Sequence, residues 1–177
     1  MNRLEKRTYK KFAALAGFLG GLLVGTAGLA GPPPASTPEF QHLRRDALEA
    51  RVDLRGISPR DSVDVTLEAR GIARVRCVDR RGRTRSTERV DFRVRGDRTF
   101  SGRDVRRGRL NVRLSTRSLR DVPRARCPRN TRQQVSDVSF DSAQLDARQG
   151  RRRVADLRCT FRPTRRGDRA RNVRCRG

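Results

Sequence analysis

The chain is poor in aromatic and histidine side chains. It contains no Trp, a single Tyr at position 9 and a single His at position 42. Single-stranded nucleic acids and many sugars are recognised by stacking on aromatic rings, so this shortage argues against both kinds of recognition. Besides this histidine and four widely spaced cysteines, only scattered carboxylates remain as metal ligands. We therefore expect neither a metal site nor a cofactor.

Lysine is absent from most of the chain, being confined to Lys6, Lys10 and Lys11. The chain nevertheless carries 44 Lys plus Arg against 19 Asp plus Glu, which gives a formal net charge of +25. Because both cations attract phosphate, a basic surface has no physical reason to exclude lysine, and its exclusion indicates a compositional bias. The positive excess still predicts non-specific attraction to polyanions.

The first 30 residues have the pattern of a signal peptide. A basic segment, Met1–Lys11, precedes the uncharged stretch Phe12–Ala30, and Gly28 and Ala30 occupy the small-residue positions of a cleavage site. The alternative is an uncleaved membrane anchor, which would give the protein its one membrane contact. In either case the remainder is exported. The segment 31–38, "GPPPASTP", predicts an extended linker, and residues 39–177 predict one domain.

Apolar and polar residues alternate along residues 39–177, whereas helical periodicity is almost absent. The pattern predicts an all-β fold, an antiparallel β-sandwich of seven to nine short strands. A change of parity near Asp141 indicates a bulge. Residues 39–48, "EFQHLRRDAL", are either a short helix or the lead-in to the first strand. The residues predicted to face the core are Leu48, Ala50, Val52, Leu54, Val63, Val65, Leu67, Ala69, Ala73, Val75, Cys77, Val90, Phe92, Val94, Leu110, Val112, Leu114, Val138, Phe140, Ala143, Leu145, Ala147, Ala155, Leu157, Cys159, Phe161, Val173 and Cys175.

Four cysteines lie in the exported part and predict two disulfides, with four free buried thiols as the alternative. Three pairings are possible. We favour Cys77 with Cys127 and Cys159 with Cys175, the second because it would close a hairpin-like unit at the C-terminus. The core contains few aromatic residues, so the crosslinks would contribute a large share of its stability.

Four short motifs resemble a family of small exported bacterial proteins of unassigned activity that look like immunoglobulin-like sandwiches. They are "CVDRRGRT" at 77–84, "RGRLNVRLST" at 107–116, "CPRN" at 127–130 and "DARQG" at 146–150. The resemblance covers residues 47–161 and implies an immunoglobulin-like sandwich and the Cys77–Cys127 pair. The chain lacks the family's Trp after the Cys-Pro segment and has Arg at positions where the family has Asn, Gly or Gln. The resemblance implies no catalytic residue.

Arginines cluster at four predicted turns, where long cationic side chains can reach a flat polyanion. We predict polyanion binding by the clusters Arg80, Arg81, Arg83 and Arg85; Arg106, Arg107 and Arg109; Arg151, Arg152 and Arg153; and Arg165 and Arg166, the last extended by Arg169 and Arg171. The competing interpretation is a surface made arginine-rich by composition alone.

Three functional hypotheses follow. The first is a secreted, non-catalytic binding or surface-associated module with general electrostatic affinity for envelope polymers, lipid headgroups or extracellular nucleic acid. The second is a secreted hydrolase that uses aspartates and His42, with Asp46 orienting the ring if this segment is helical; the simpler interpretation makes His42 an exposed polar residue. The third is a purely structural envelope protein.

Overall fold

A computed structural model of the protein describes residues 35–119 and 125–177. These residues form eight β-strands and one short 3-10 turn, without any α-helix. The predicted signal peptide, Gly31 and the three prolines of the predicted linker lie outside the described residues. The strands are β1 (Glu39–Leu43), β2 (Ala47–Arg55), β3 (Val63–Val78), β4 (Thr84–Phe100), β5 (Arg109–Ser115), β6 (Arg132–Gln149), β7 (Arg152–Thr160) and β8 (Arg174–Arg176).

The strands form two antiparallel sheets that pack face to face. One sheet has the order β1-β2-β5 and the other β4-β3-β6-β7-β8. Side chains alternate between a shared apolar core and solvent along most strands, as in β5, where Leu110, Val112 and Leu114 are buried between exposed neighbours. The fold is therefore an all-β sandwich, as the alternation predicts.

Three of the strands are much longer than the sequence predicts. The apolar runs 63–69 and 73–77 belong to one strand, β3, of 16 residues, and β4 and β6 have 17 and 18. The register of β3 on β6 shifts between Arg70 and Gly71, which face Ser142 and Phe140. Asp141 is left unpaired, so the bulge predicted there is confirmed.

Residues 39–43 form an edge strand, so the helical alternative for this segment is wrong. Phe40 and His42 alternate into the core with the period of two that a strand requires. A turn at Arg44–Asp46, with Asp46 at φ 54°, returns the chain to β2. Within the Gly31–Pro38 segment, Ala35 bridges to Leu54, and Ser36 exchanges hydrogen bonds of 2.9 Å with Asp53.

Both favoured disulfides are present. Cys77 at the end of β3 is joined to Cys127 before β6, with a Cα–Cα distance of 5.5 Å. Cys159 and Cys175, directly paired residues of β7 and β8, are joined at 4.1 Å. Two disulfides indicate an oxidising, extracytoplasmic compartment. None of the described residues belongs to a helix long and apolar enough to cross a membrane.

Candidate functional site

Two of the predicted arginine clusters meet at one end of the sandwich. The turn that precedes β5 and the turn between β6 and β7 both contact the β2–β3 loop. Gly108 accepts a hydrogen bond from the backbone N–H of Ile57 at 3.1 Å, and Arg152 Nη2 donates to the carbonyl of Gly56 at 2.8 Å. We call this region the arginine end and define it by Arg106, Arg107, Arg109, Arg151 and Arg152.

The arginine end carries positive charge that nearby carboxylates do not neutralise. All five of its arginines are exposed. Within the described ranges, none of them forms an ion pair. Arg55 is the cross-strand partner of Arg109, which adds a further exposed cation beside the cluster. The arrangement presents several guanidinium groups to solvent on one end.

A third cluster lies at the opposite end of the five-stranded sheet. It surrounds the β3–β4 turn and consists of Arg80, Arg81, Arg83 and Arg85. The length of β3, roughly 50 Å at about 3.3 Å per residue, separates this turn from the arginine end. Arg83 and Arg85 both pair with Asp79, at 3.2 and 3.0 Å. A backbone hydrogen bond from Arg83, with further hydrogen bonds and the Arg83 charge, lowers the pKa of Asp79. Half of this cluster is therefore engaged within the protein.

The fourth cluster lies beside the β1–β2 turn, separate from the other three. Arg166 donates two hydrogen bonds to Asp46, at 2.9 and 2.8 Å. Arg153 follows Arg151 and Arg152 in the sequence but does not belong to the arginine end. It pairs with Asp146 and Asp156 on the face of the five-stranded sheet. The structure thus gathers five of the fourteen arginines of the predicted clusters at one end and holds several others in internal ion pairs.

Carboxylates join opposed arginines at three places on the two sheets. Glu49, predicted to face solvent, is only 5% exposed. It accepts hydrogen bonds from Arg51 and Arg113, which face each other across β2 and β5, at 3.0 and 2.9 Å. Burial alone raises the pKa of Glu49, but the hydrogen bonds and charges of the two arginines outweigh burial and lower the pKa overall.

The other two bridges repeat this geometry on the five-stranded sheet. Glu68 pairs with the opposed Arg70 and Arg93, at 3.4 and 3.2 Å. Asp146 pairs with the opposed Arg148 and Arg153, both at 2.9 Å. In all three bridges the carboxylate stands two residues before an arginine on the same strand, in the sequences "EAR", "EAR" and "DAR". This spacing was the signal in the sequence that could have revealed them.

A cavity of about 1050 Å³ lies on the outer face of β3, β6, β7 and β8. Four exposed arginines line it, Arg70 from β3, Arg158 from β7, and Arg174 and Arg176 from β8. Of these, Arg70 is paired with Glu68. Arg158 and Arg176 are directly opposed. Alternation alone places these arginines on an outer face, so sequence reasoning did not single them out. Their convergence depends on the pairing of β7 with β8.

His42 is fully buried, so the prediction of an exposed polar residue is wrong. Its Nδ1 lies 3.4 Å from the hydroxyl of Thr164, its Nε2 lies 3.6 Å from Asp46, and its ring packs on the ring of Phe140. Burial lowers the pKa of His42, and the Arg166 charge acts in the same direction against the opposing effect of Asp46. Nε2 has no hydrogen-bond partner among the described residues.

The hydroxyl, imidazole and carboxylate of this group stand in the order of a catalytic triad, but they do not face a substrate site. Thr164 is 3% exposed, and its hydroxyl already accepts a hydrogen bond from the backbone N–H of Phe140 at 3.3 Å. The large cavity does not reach His42. In the described part of the chain, no three His, Cys, Asp or Glu side chains converge as metal ligands.

Comparisons with protein-family models, with curated proteins and with solved structures found no match for the chain.

Proposed function

We propose that the protein is an exported, non-catalytic module that binds polyanions by charge through the arginine end. The observation that carries this proposal is the convergence of two separate arginine clusters without neutralising carboxylates. Several guanidinium groups on one end can contact successive phosphate, sulfate or carboxylate groups of a polymer. Each such contact releases condensed counterions, which makes binding favourable at low salt and steeply salt-dependent.

The order of the strands supports an immunoglobulin-like assignment within this proposal. Sheets β1-β2-β5 and β4-β3-β6-β7 correspond to the ABE and C′CFG arrangement, with β8 added at the edge. The usual B–F disulfide and core tryptophan have no counterpart here, since the disulfides lie elsewhere. Membership of the exported bacterial family that the turn motifs resemble is part of the same proposal, and so is export through residues 1–30.

The hydrolase hypothesis lacks an accessible catalytic group at His42. A general base must come within hydrogen-bond reach of a substrate proton, and His42 is enclosed by Phe140 and Thr164. The non-catalytic proposal is therefore preferred on geometry. A structural role in the envelope remains a rival that predicts retention with the wall fraction and no saturable binding of soluble polyanions.

The test measures the affinity of the purified chain for heparin or duplex DNA by fluorescence anisotropy over a series of salt concentrations. We expect the logarithm of the binding constant to fall linearly with the logarithm of salt. The triple variant Arg106→Gln, Arg109→Gln and Arg151→Gln should reduce the slope by about 2 to 3, because each lost phosphate contact reduces it by about 1.

The matched control removes three charges at the opposite end, with Arg80→Gln, Arg81→Gln and Arg129→Gln. All three arginines are exposed and form no ion pair in the ranges that the structure covers. The control should change the slope by less than about 1. A salt-independent affinity would rule out the electrostatic mechanism, and equal losses in both triple variants would rule out the arginine end as the contact surface.

A further inference from the structure

We propose that the cavity on the outer face of β6, β7 and β8 is a specific binding site for a small molecule with two or more carboxylates. Arg158, Arg174 and Arg176 would hold the ligand. This site is distinct from the arginine end, and its occupant is a discrete molecule rather than a polymer, so the proposal stands independently of the function proposed above.

At three places on the protein's surface a carboxylate joins two arginines that face each other across a pair of strands. Like charges at directly opposed positions repel each other. At Glu49, Glu68 and Asp146 a carboxylate lies between such a pair and accepts a hydrogen bond or ion-pair contact from each, at distances from 2.9 to 3.4 Å. A carboxylate is thus the group that this geometry accommodates repeatedly.

The pair in the cavity lacks such a carboxylate. Arg158 and Arg176 are opposed in register, yet neither forms an ion pair with any described residue. Asp156 stands two residues before Arg158, where the other bridges have their carboxylate. Its two oxygens are instead occupied by Gln144 Nε2 at 3.1 Å and by Arg153 Nη1 at 3.0 Å.

The second acidic group of the cavity is also engaged. Glu68 is shared by Arg70 and Arg93, as described above. Arg174, whose cross-strand partner is Thr160, adds a third guanidinium without an ion pair in the described parts of the chain. Both acidic side chains of the lining are therefore paired with arginines other than Arg158, Arg174 and Arg176, and these three form no ion pair among the described residues.

A disulfide joins the two strand segments that carry Arg158, Arg174 and Arg176. β8 has three residues and lies at the edge of the sheet. Cys175 stands between Arg174 and Arg176 and is joined to its directly paired residue Cys159, the neighbour of Arg158. Since a strand this short would not pair stably by itself, the disulfide fixes the backbone from which the three arginine side chains extend before a ligand arrives.

A ligand with two or more carboxylates fits these three arginines better than a ligand with one. One carboxylate bridges two opposed arginines in each internal example, and the cavity offers a third arginine beyond the opposed pair. Its volume of about 1050 Å³ exceeds what a single small anion fills. No aromatic side chain lines it. A flexible aliphatic polycarboxylate can place its separate carboxylates on the separate guanidinium groups, so this is the ligand class that we expect.

Isothermal titration calorimetry with tricarballylate, an aliphatic tricarboxylate, tests the proposal on the disulfide-intact chain. We expect one saturable site per chain. The variant Arg158→Gln with Arg176→Gln should weaken binding at least tenfold. The matched control is Arg74→Gln with Arg89→Gln, an opposed pair on the same sheet that lies outside the cavity and also lacks a bridging carboxylate among the described residues. It should change affinity less than twofold.

Circular dichroism of both variants must match the parent, and Arg158→Lys with Arg176→Lys serves as a second variant that keeps the charge but removes the planar fork. Equal weakening in the cavity and control variants would overturn the proposal in favour of general charge attraction, and so would binding without saturation. Inorganic phosphate that binds the same arginines more tightly than tricarballylate would overturn the carboxylate assignment. None of these outcomes depends on heparin or DNA binding.

Discussion

At the scale of single residues, two buried polar side chains depart from the alternating pattern. The alternating pattern assigns Glu49 to the solvent face of its strand and leaves the position of His42 open. Glu49 is stabilised as a carboxylate by the two arginines that flank it, and His42 is enclosed because the 161–170 segment covers it, with the N–H of Gly167 donating to its carbonyl at 2.8 Å. Arg113 is 64 residues from Glu49, and Thr164 is 122 residues from His42, so the neighbouring sequence alone does not predict that either side chain is buried.

His42 makes stability depend on pH in a defined direction. Because its pKa in the folded protein lies below the ordinary value of 6.5, the unfolded chain takes up the proton first as pH falls. The free energy of unfolding should therefore decrease from about pH 6.5 downward until the folded pKa is passed. Urea denaturation at several pH values between 7.5 and 5 checks this.

The variant His42→Gln supplies the control for that measurement, since it removes the titrating ring. Its free energy of unfolding should change less over the same range, whatever its absolute stability. Glu49 does not interfere, because its pKa is lowered from an ordinary value of 4.5 and it stays ionised above pH 5. An identical pH dependence in parent and variant would contradict the assignment to His42.

At the scale of strands, the alternating pattern predicted the bulge opposite β3 but not the length of β3. The parity change at Asp141 predicted the bulge, because one extra residue shifts every following side chain to the other face. The sequence around Arg70 and Gly71 looked like a strand boundary, yet the strand continues through it. Gly71 is buried directly against the backbone of Ser139 and Phe140, so glycine here serves a close approach rather than a turn.

Gly71→Ala should destabilise the protein by about 2 kcal/mol, because a methyl group would overlap the carbonyl oxygen of Ser139 and force β3 and β6 apart. Chemical denaturation measures the loss. The neighbouring Ile72→Ala is the control, since Ile72 is the exposed large apolar residue of the sheet. It should cost less than about 0.5 kcal/mol. If Gly71→Ala cost no more than this control, close packing at the bulge would be disproved.

At the scale of the whole molecule, the sandwich was predictable but the order of its strands was not. Alternation identifies strands and their inward faces, whereas the choice of partner depends on contacts far apart in sequence. The arginine end forms as a result of that choice, because the turn before β5 and the turn between β6 and β7 both contact the β2–β3 loop. The pattern likewise does not predict that Arg158 and Arg176 lie side by side in the cavity, because it does not predict the pairing of β7 with β8.

The two disulfides should contribute unequally to the stability of the molecule. Cys77–Cys127 spans 50 residues and Cys159–Cys175 spans 16. Restriction of the unfolded chain predicts that their removal as Cys→Ala pairs costs about 4 and about 3 kcal/mol respectively. Thermal and urea unfolding of the two paired variants would test the order. A larger loss from the Cys159–Cys175 pair would mean that strain or local structure, rather than loop length, determines their effect.

The exposed arginines of strand β4 also affect how another chain can pair with the edge of the larger sheet. It is 17 residues long and forms an edge of the larger sheet, where unpaired backbone groups invite another chain to add on. Arg85, Arg89, Arg93, Arg95 and Arg98 are exposed along it. Because like charges on two such edges repel each other, these arginines oppose edge-to-edge pairing between two copies of the protein, and a polyanion bound along β4 would weaken that repulsion.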